Sequence, residues 1–331
     1  MDKLITRIPI ISDEKREKFN VIPANEIKLP TDNLSAILFG LTDKQFAQLL
    51  SEQKPSKKVM ESERQKTENG YQRMEATTRF WLNVVQECTG QITKLTHKDQ
   101  RILAACMAEQ QKGNPVTTTS IIFRDLGGVG MPKPEIVEEY MESITKMMSI
   151  IITIDATETV RKLYQIHDES FLEVIDGKSI LPASWRYIKL NGQSCAAIKF
   201  NDVSPVFQYA LAKGQITTIP SKILNVPATK NTQDFLELKT YIYTRIQQAK
   251  KGRIKPIMRL ETLYKNCGFE VKVNDRSFRK RLRESIVNFM EWLIMGKEIV
   301  DFKCVDDDNK ECHNLRDCTK ITFTYKKDKN E

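Results

Sequence analysis

Between Lys250 and Glu284 the chain carries twelve Lys or Arg against four acids (Glu261, Glu270, Asp275 and Glu284), a net of +8. The whole chain is only +9, so everything outside that window sums to near neutrality. A charge so concentrated points to a polyanionic partner. Its chemistry is recognition: guanidinium groups present a planar fork to phosphates or guanine edges, and ammonium groups act as point charges. An ordinary solvated helix face mixes signs, and this stretch does not.

Other reactive types are present, in patterns that argue against catalysis. The only histidines, His97, His167 and His313, are far apart, and no His-x-His pair exists for a metal-dependent DNA-nicking centre. The glycine-rich run from Asp125 to Met131 lacks the Lys-Ser/Thr of a phosphate loop and reads as a turn between helices. Cys304, Cys312, His313 and Cys318 are residue types that zinc prefers. Their spacing is irregular and Cys312 adjoins His313, so they read as free thiols in a hairpin. Asp306, Asp307 and Asp308 read as a solvated hairpin tip. Trp81, Trp185 and Trp292 sit among apolar neighbours and read as core. No aromatic series interleaves with the cations as a single-strand platform requires, which favours duplex over single-stranded nucleic acid. The expectation is a binding protein without catalytic residues, cofactor or metal.

The elements that position the cations follow from spacing. Pro256 to Asn266 reads as a short helix with Ile257, Leu260, Leu263 and Tyr264 on one side, ended by Cys267-Gly268-Phe269. Asn274 or Asp275 then caps a longer helix whose apolar stripe is Phe278, Leu282, Ile286, Phe289 and Leu293. Arg276, Lys280 and Arg283 fall on another face, and Arg279 stacks over Arg283. These cations occupy the first two turns, where they oppose the helix dipole. Such a placement suits a helix end pressed against phosphate. Two β-rich runs follow, Glu298 to Val305 and Thr319 to Lys327. Helix, turn, cationic helix and hairpin make a winged helix, with the second helix in the major groove. Arg276, Arg279, Lys280 and Arg283 are expected in or beside that groove. Lys250, Lys251, Arg253, Lys255 and Lys272 are expected to hold phosphates, with Lys326 and Lys327 at the wing's end. Arg281 points closer to the core side.

At 331 residues the chain has room for about two domains, each with its own core. With 29% charged residues and a mean hydropathy of −0.43 it reads as globular, without a membrane-spanning run or signal peptide. Seven cysteines, odd in number and scattered, fit a reducing cytoplasmic setting.

Residues 1–58 are expected as a partly ordered N-terminal arm with one helix, Thr42 to Gln53. The stretch after Pro55 passes into a helix with Met74, Trp81, Val84, Val85 and Cys88 on one face. A first winged-helix domain fills 59–203. In it Thr96 caps a helix, with Asp99 closing the capping box. A second helix runs from Thr119 to Leu126. A third starts at Pro134 and runs to about Met148. Ile150 to Ile154 is a strand with Lys162 to His167 as its return. Further strands are Phe171 to Ile175, Ile188 to Leu190 and Cys195 to Phe200, with turns at Asp176-Gly177 and Asn191-Gly192. The second domain, 204–331, opens with a helix from Pro205 to Ala212. A linker, Ile219 to Pro227, and a long helix, Thr232 to Ala249, lead to the cationic stretch.

With both units in place, the chain resembles the plasmid-type replication initiators built from two winged helices. The carrying residues are Leu95, Thr96, Asp99, Gln100, Arg101, Ile102 and Leu103 at the first unit's opening. Ile216 to Pro220 with Leu224 precedes the second, and Arg279-Lys280-Arg281-Leu282 with Ser285-Ile286 matches the family's terminal recognition helix. The likeness spans roughly residues 90–326. It implies an α+β, mainly helical fold of two tandem winged-helix domains behind an N-terminal arm. It also implies binding to repeated origin sites in double-stranded DNA, recruitment of host replication proteins, and a homodimer. One departure stands out: the first unit's third helix begins with Glu135, Glu138, Glu139 and Glu142, which repel phosphate. The first unit is therefore expected to serve dimerisation, or backbone contacts through a wing around Arg161 and Lys162. Two alternatives stay open: a winged-helix transcriptional regulator, and a module whose basic face meets an acidic protein.

Overall fold

Buried side chains alternate at Val59 and Glu61, and again at Ala76, Thr78, Phe80 and Leu82. That period of two makes strands, and it overrides the helix expected after Pro55. The computed structural model describes residues 26–50, 56–67, 70–85, 93–128, 131–164, 174–190, 193–213, 215–220, 233–252, 254–267, 269, 275–312 and 317–326. The fold is mixed α+β.

The chain divides into two compact units: Met1–Phe123 with Met131–Ile216, and Arg124–Gly130 with Thr217–Glu331. The first opens with β1 (Glu26–Pro30), α1 (Asn33–Leu38) and α2 (Asp43–Leu49). Thr42 and Gln45 close a capping box on α2. Ile27, Leu34 and Leu38 are fully buried, so residues 26–50 are core elements where an arm was expected. β2 (Lys57–Thr67) and β3 (Gly70–Val84) form a long hairpin. Then come α3 (His97–Gln111), β4 (Val116–Thr117), α4 (Thr119–Asp125) and α5 (Pro134–Ser149). The chain continues through β5 (Ile150–Asp155), α6 (Thr157–Tyr164), β6 (Val174–Ser179), β7 (Ala183–Leu190), β8 (Gln193–Phe200), α7 (Pro205–Ala212) and β9 (Ile216–Pro220).

One antiparallel sheet runs β2-β3-β5-β6 and a second runs β4-β8-β7. The return of β5 is therefore β6, not Lys162 to His167. Residues 157–164 are helical instead: Asp155 Oδ1 accepts from Thr157 N at 3.1 Å at the helix start, and Glu158 pairs with Lys162 at 2.7 Å. Arg161 and Lys162 sit exposed on that helix and not in a wing. The turn expected at Asp176-Gly177 is also absent. The glycine lies inside β6, where a Cβ would meet Ile151 Cγ2 and Thr153 Oγ1 at 3.0 Å, so close strand approach explains it. Asn191 and Gly192 lie outside the described residues; the strands flanking them pair, with Leu190 opposite Gln193.

The second unit carries α8 (Gln233–Lys250), β10 (Ile257–Arg259), α9 (Leu260–Asn266), α10 (Arg276–Met295), β11 (Asp301–Val305) and β12 (Lys320–Thr324). Its sheet runs β10-β12-β11. The expected helix from Pro256 thus starts at Leu260, because Ile257 to Arg259 pair with Thr322 to Lys320. Ile257 is consequently exposed, and Met258 takes the buried place. The order helix, short strand, helix, helix, two strands recurs in both units, with the short strand beside the last strand each time. In the first unit β5, α6 and β6 interrupt it. The three tryptophans are half-buried and not fully core. Among the described residues no helix is long and apolar enough to cross a membrane.

Candidate nucleic-acid interface

α10 is fixed by its apolar stripe: Leu282, Ile286, Phe289 and Leu293 are buried, with Ser285 and Met290 beside them. Its start is pinned by Phe278, whose ring meets Phe269 edge-on at 5.7 Å. Asp275 caps it, Oδ1 accepting from Ser277 N at 2.8 Å and Oδ2 from Ser277 Oγ at 3.2 Å. Those donors hold the Asp275 carboxyl below its ordinary value. Past that cap, Arg276, Arg279, Lys280 and Arg281 are all exposed and no acid occupies the first turn. Lys280 has one weak partner, Glu284 Oε1 at 3.9 Å. Four cations thus gather at the positive end of the helix dipole, an arrangement suited to anions.

Arg283 departs from this group. It is half-buried, its Nη2 donates to the Cys318 carbonyl at 3.4 Å, and it interacts with the Tyr264 hydroxyl. The guanidinium is directed at the hairpin, not at solvent. Arg281, expected nearer the core, is as exposed as Arg279.

The loop lysines form a second group at the opposite end of α10. Lys250 Nζ pairs with Glu298 Oε2 at 2.9 Å, just beyond that helix. The Tyr325 hydroxyl donates to the Ala249 carbonyl at 2.6 Å, which sets exposed Lys326 beside Lys250 and Lys251. Lys255 joins them, because Phe323 N donates to Pro256 O at 3.1 Å. α10 has 20 residues, so the two groups are separated by most of a helix about 30 Å long. Lys326 therefore lies at the hairpin's base. The hairpin's far end instead exposes Asp307, Asp308 and Asp317. Arg253, Lys272, Lys327 and His313 lie outside the described residues. Sequence reasoning missed Arg259, exposed and paired in register with Lys320 near the Arg283 end. The β-strand register that places it there has no local signal in the sequence.

In the first unit Glu135, Glu138, Glu139 and Glu142 are exposed on α5, as the sequence suggested. Lys98 pairs with Glu139, and Asp99, almost fully buried, accepts from Ser143 and pairs with Lys146 at 2.7 Å. That carboxylate ties the cap of α3 to α5. Around Glu61 a second buried network gathers Lys213, Tyr209 Oη (3.0 Å) and Asn33 Nδ2 (3.1 Å). Tyr209 in turn meets Thr78 Oγ1 at 2.9 Å, and Thr78 meets Thr159 at 2.8 Å. Among the described residues no group of three or more His, Cys, Asp or Glu could hold a metal ion.

No family model matches the chain, and no curated protein matches it. Among solved structures, the chain is similar to a crystal structure of domains 2 and 3 of RctB in selenomethionine form. That match has 13% identity and a TM-score of 0.38, covering 88% of this chain and 98% of the other. A second crystal structure of RctB domains 2-3 matches with 12% identity and a TM-score of 0.38, covering 73% and 82% respectively. Likeness at that level fixes neither fold class nor function.

Proposed function

We propose that the chain is a non-enzymatic, sequence-specific duplex-DNA-binding protein of two winged-helix domains, in which α10 of the second unit reads the major groove. The observation that carries this reading is the exposed set Arg276, Arg279, Lys280 and Arg281 in the first two turns of a helix preceded by a short helix and followed by a hairpin. Arginine forks there can bind guanine O6 and N7 while neighbouring cations hold phosphates. The recurrence of one element order, with the short strand beside the last strand in both units, supports the tandem winged-helix reading. The role we assign is replication initiation at repeated sites, with a homodimer and host replication proteins as partners. The loop lysines at the other end of α10 bind phosphate on a separate stretch of backbone.

Selection from a pool of random duplexes with the full chain tests the reading. Enrichment of one common site is the expected result, and a pool that stays random overturns sequence-specific recognition. Direct repeats of the selected site beside the coding region distinguish an initiator from a transcriptional regulator.

A further inference from the structure

The hairpin of the second unit carries three thiols, Cys304, Cys312 and Cys318, that the proposed DNA interface does not use. Cys304 lies in β11, and Cys318 lies just before β12. Thr319 N donates to Val305 O at 2.9 Å, closing the ladder between them. Both cysteines are free, and their side chains line the same pocket on one side of the hairpin. The Cys318 thiol also lies 3.2 Å from the Lys320 carbonyl. Cys318 is buried and Cys304 half-exposed, and both border one open pocket with Arg283, Ile286 and Val287. A charged guanidinium next to a thiol is a setting in which cysteines react, and half-exposed Cys304 gives the pair its access to solvent. The neighbouring Cys304, with Arg283 alongside, holds the Cys318 thiol below its ordinary value, and Cys318 with burial pushes Cys304 up.

We propose that Cys304 and Cys318 form an oxidation-sensitive dithiol, which a peroxide converts to a disulfide across the base of the β11–β12 turn. The Cys318 sulfur, as thiolate, attacks one peroxide oxygen. The O–O bond breaks, and the leaving hydroxide takes a proton to become water, giving a sulfenic acid. The Cys304 sulfur then attacks the Cys318 sulfur. The S–O bond breaks, and the hydroxyl leaves with the Cys304 proton as a second water. Two thiols are oxidised and one peroxide is reduced.

The dithiol adjoins the cationic helix through Arg283, which sits one turn after Arg279 and Lys280 and reaches the Cys318 carbonyl. Consuming the thiols alters what Arg283 rests on. An effect on DNA affinity follows only if the α10 reading holds.

The test treats the full chain with hydrogen peroxide, blocks the remaining thiols, and maps the peptides without reduction. The expected result is a loss of two free thiols from the chain's seven cysteines, a linked Cys304–Cys318 peptide, and full recovery with a reductant. Cys312 is the internal control: its backbone N–H donates to Cys304 O at 2.9 Å, so it is close enough to compete. A Cys312→Ser chain should give the same linked peptide. Linkage through Cys312, or thiol loss with no Cys304–Cys318 peptide, overturns the proposal. Because the mapping needs no DNA, a chain that never binds duplex sinks the α10 reading and leaves the dithiol to be decided separately.

Discussion

Lys250 Nζ meets Glu298 Oε2 at 2.9 Å, fastening the last turn of α8 to the residues that follow α10. Both side chains are 23% exposed, so the pair is worth about 1 kcal/mol at most once solvent screening is allowed for. Its larger effect is on the charge map, since it occupies a cation that the sequence offers to phosphate. Lys250→Ala should lower stability slightly and reduce duplex affinity less than Arg279→Ala does. Anisotropy titrations of both full-length variants decide the order. A larger loss from Lys250→Ala places the interface at the far end of α10.

Within α10, exposure separates a base reader from a phosphate clamp. Arg279→Ala should lose discrimination at one or two base pairs, each such contact being worth about 1–3 kcal/mol. Lys251→Ala should weaken selected and random duplexes by the same factor. Circular dichroism first establishes that both variants fold. A uniform loss for Arg279→Ala assigns it to phosphate, with Arg276 next in line for the base contact.

Asp99 should be the costliest single carboxylate in the first unit. It caps α3, accepts from Ser143 and pairs with Lys146 while only 2% exposed. Asp99→Ala removes the cap and the Ser143 contact and leaves half-buried Lys146 with only the Lys94 carbonyl, so unfolding free energy should fall by about 2–3 kcal/mol. Urea denaturation measures this. A loss below about 1 kcal/mol shows that water replaces the carboxylate without cost.

Asp32 gives a pH signature. It caps α1 through Ser35 N at 2.8 Å, and burial pushes its carboxyl up to about 6. The folded value lies above the unfolded one, so folding favours the protonated form. Its contribution is full below about pH 4 and is lost as pH rises towards 6, on the order of 3 kcal/mol in all. Asp32→Asn keeps the cap and removes the titration. The variant should therefore gain on the natural chain between pH 4 and 7. A stability difference independent of pH contradicts this.

In both units, the helix starts and the cationic helix were legible in the sequence because their signals are local. Thr96 with Asp99, Pro134 at a helix start, Asp275 as a cap and the stripe from Leu282 to Leu293 each act within a few residues. Pairings between distant strands left no such trace. Val59, Phe80 and Leu82 alternate, but the second partner of β3 is β5, which begins only at Ile150. For the site, residue types identified the cations, and local geometry could not say where each points. Arg283 turns inward because Cys318 and Tyr264 are brought to it from other elements, and Lys250 is taken by Glu298, 48 residues away.

The most direct test is the salt dependence of duplex binding by the full chain. If the exposed cations of α10 and the lysines at its far end neutralise about five to eight phosphates, log K should fall with log salt at a slope of about −4 to −7. The same titration with Arg276, Arg279 and Lys280 all changed to Gln should flatten by about 2 to 3. A slope near zero in the natural chain, or one unchanged by the triple substitution, contradicts an interface built on the first two turns of α10.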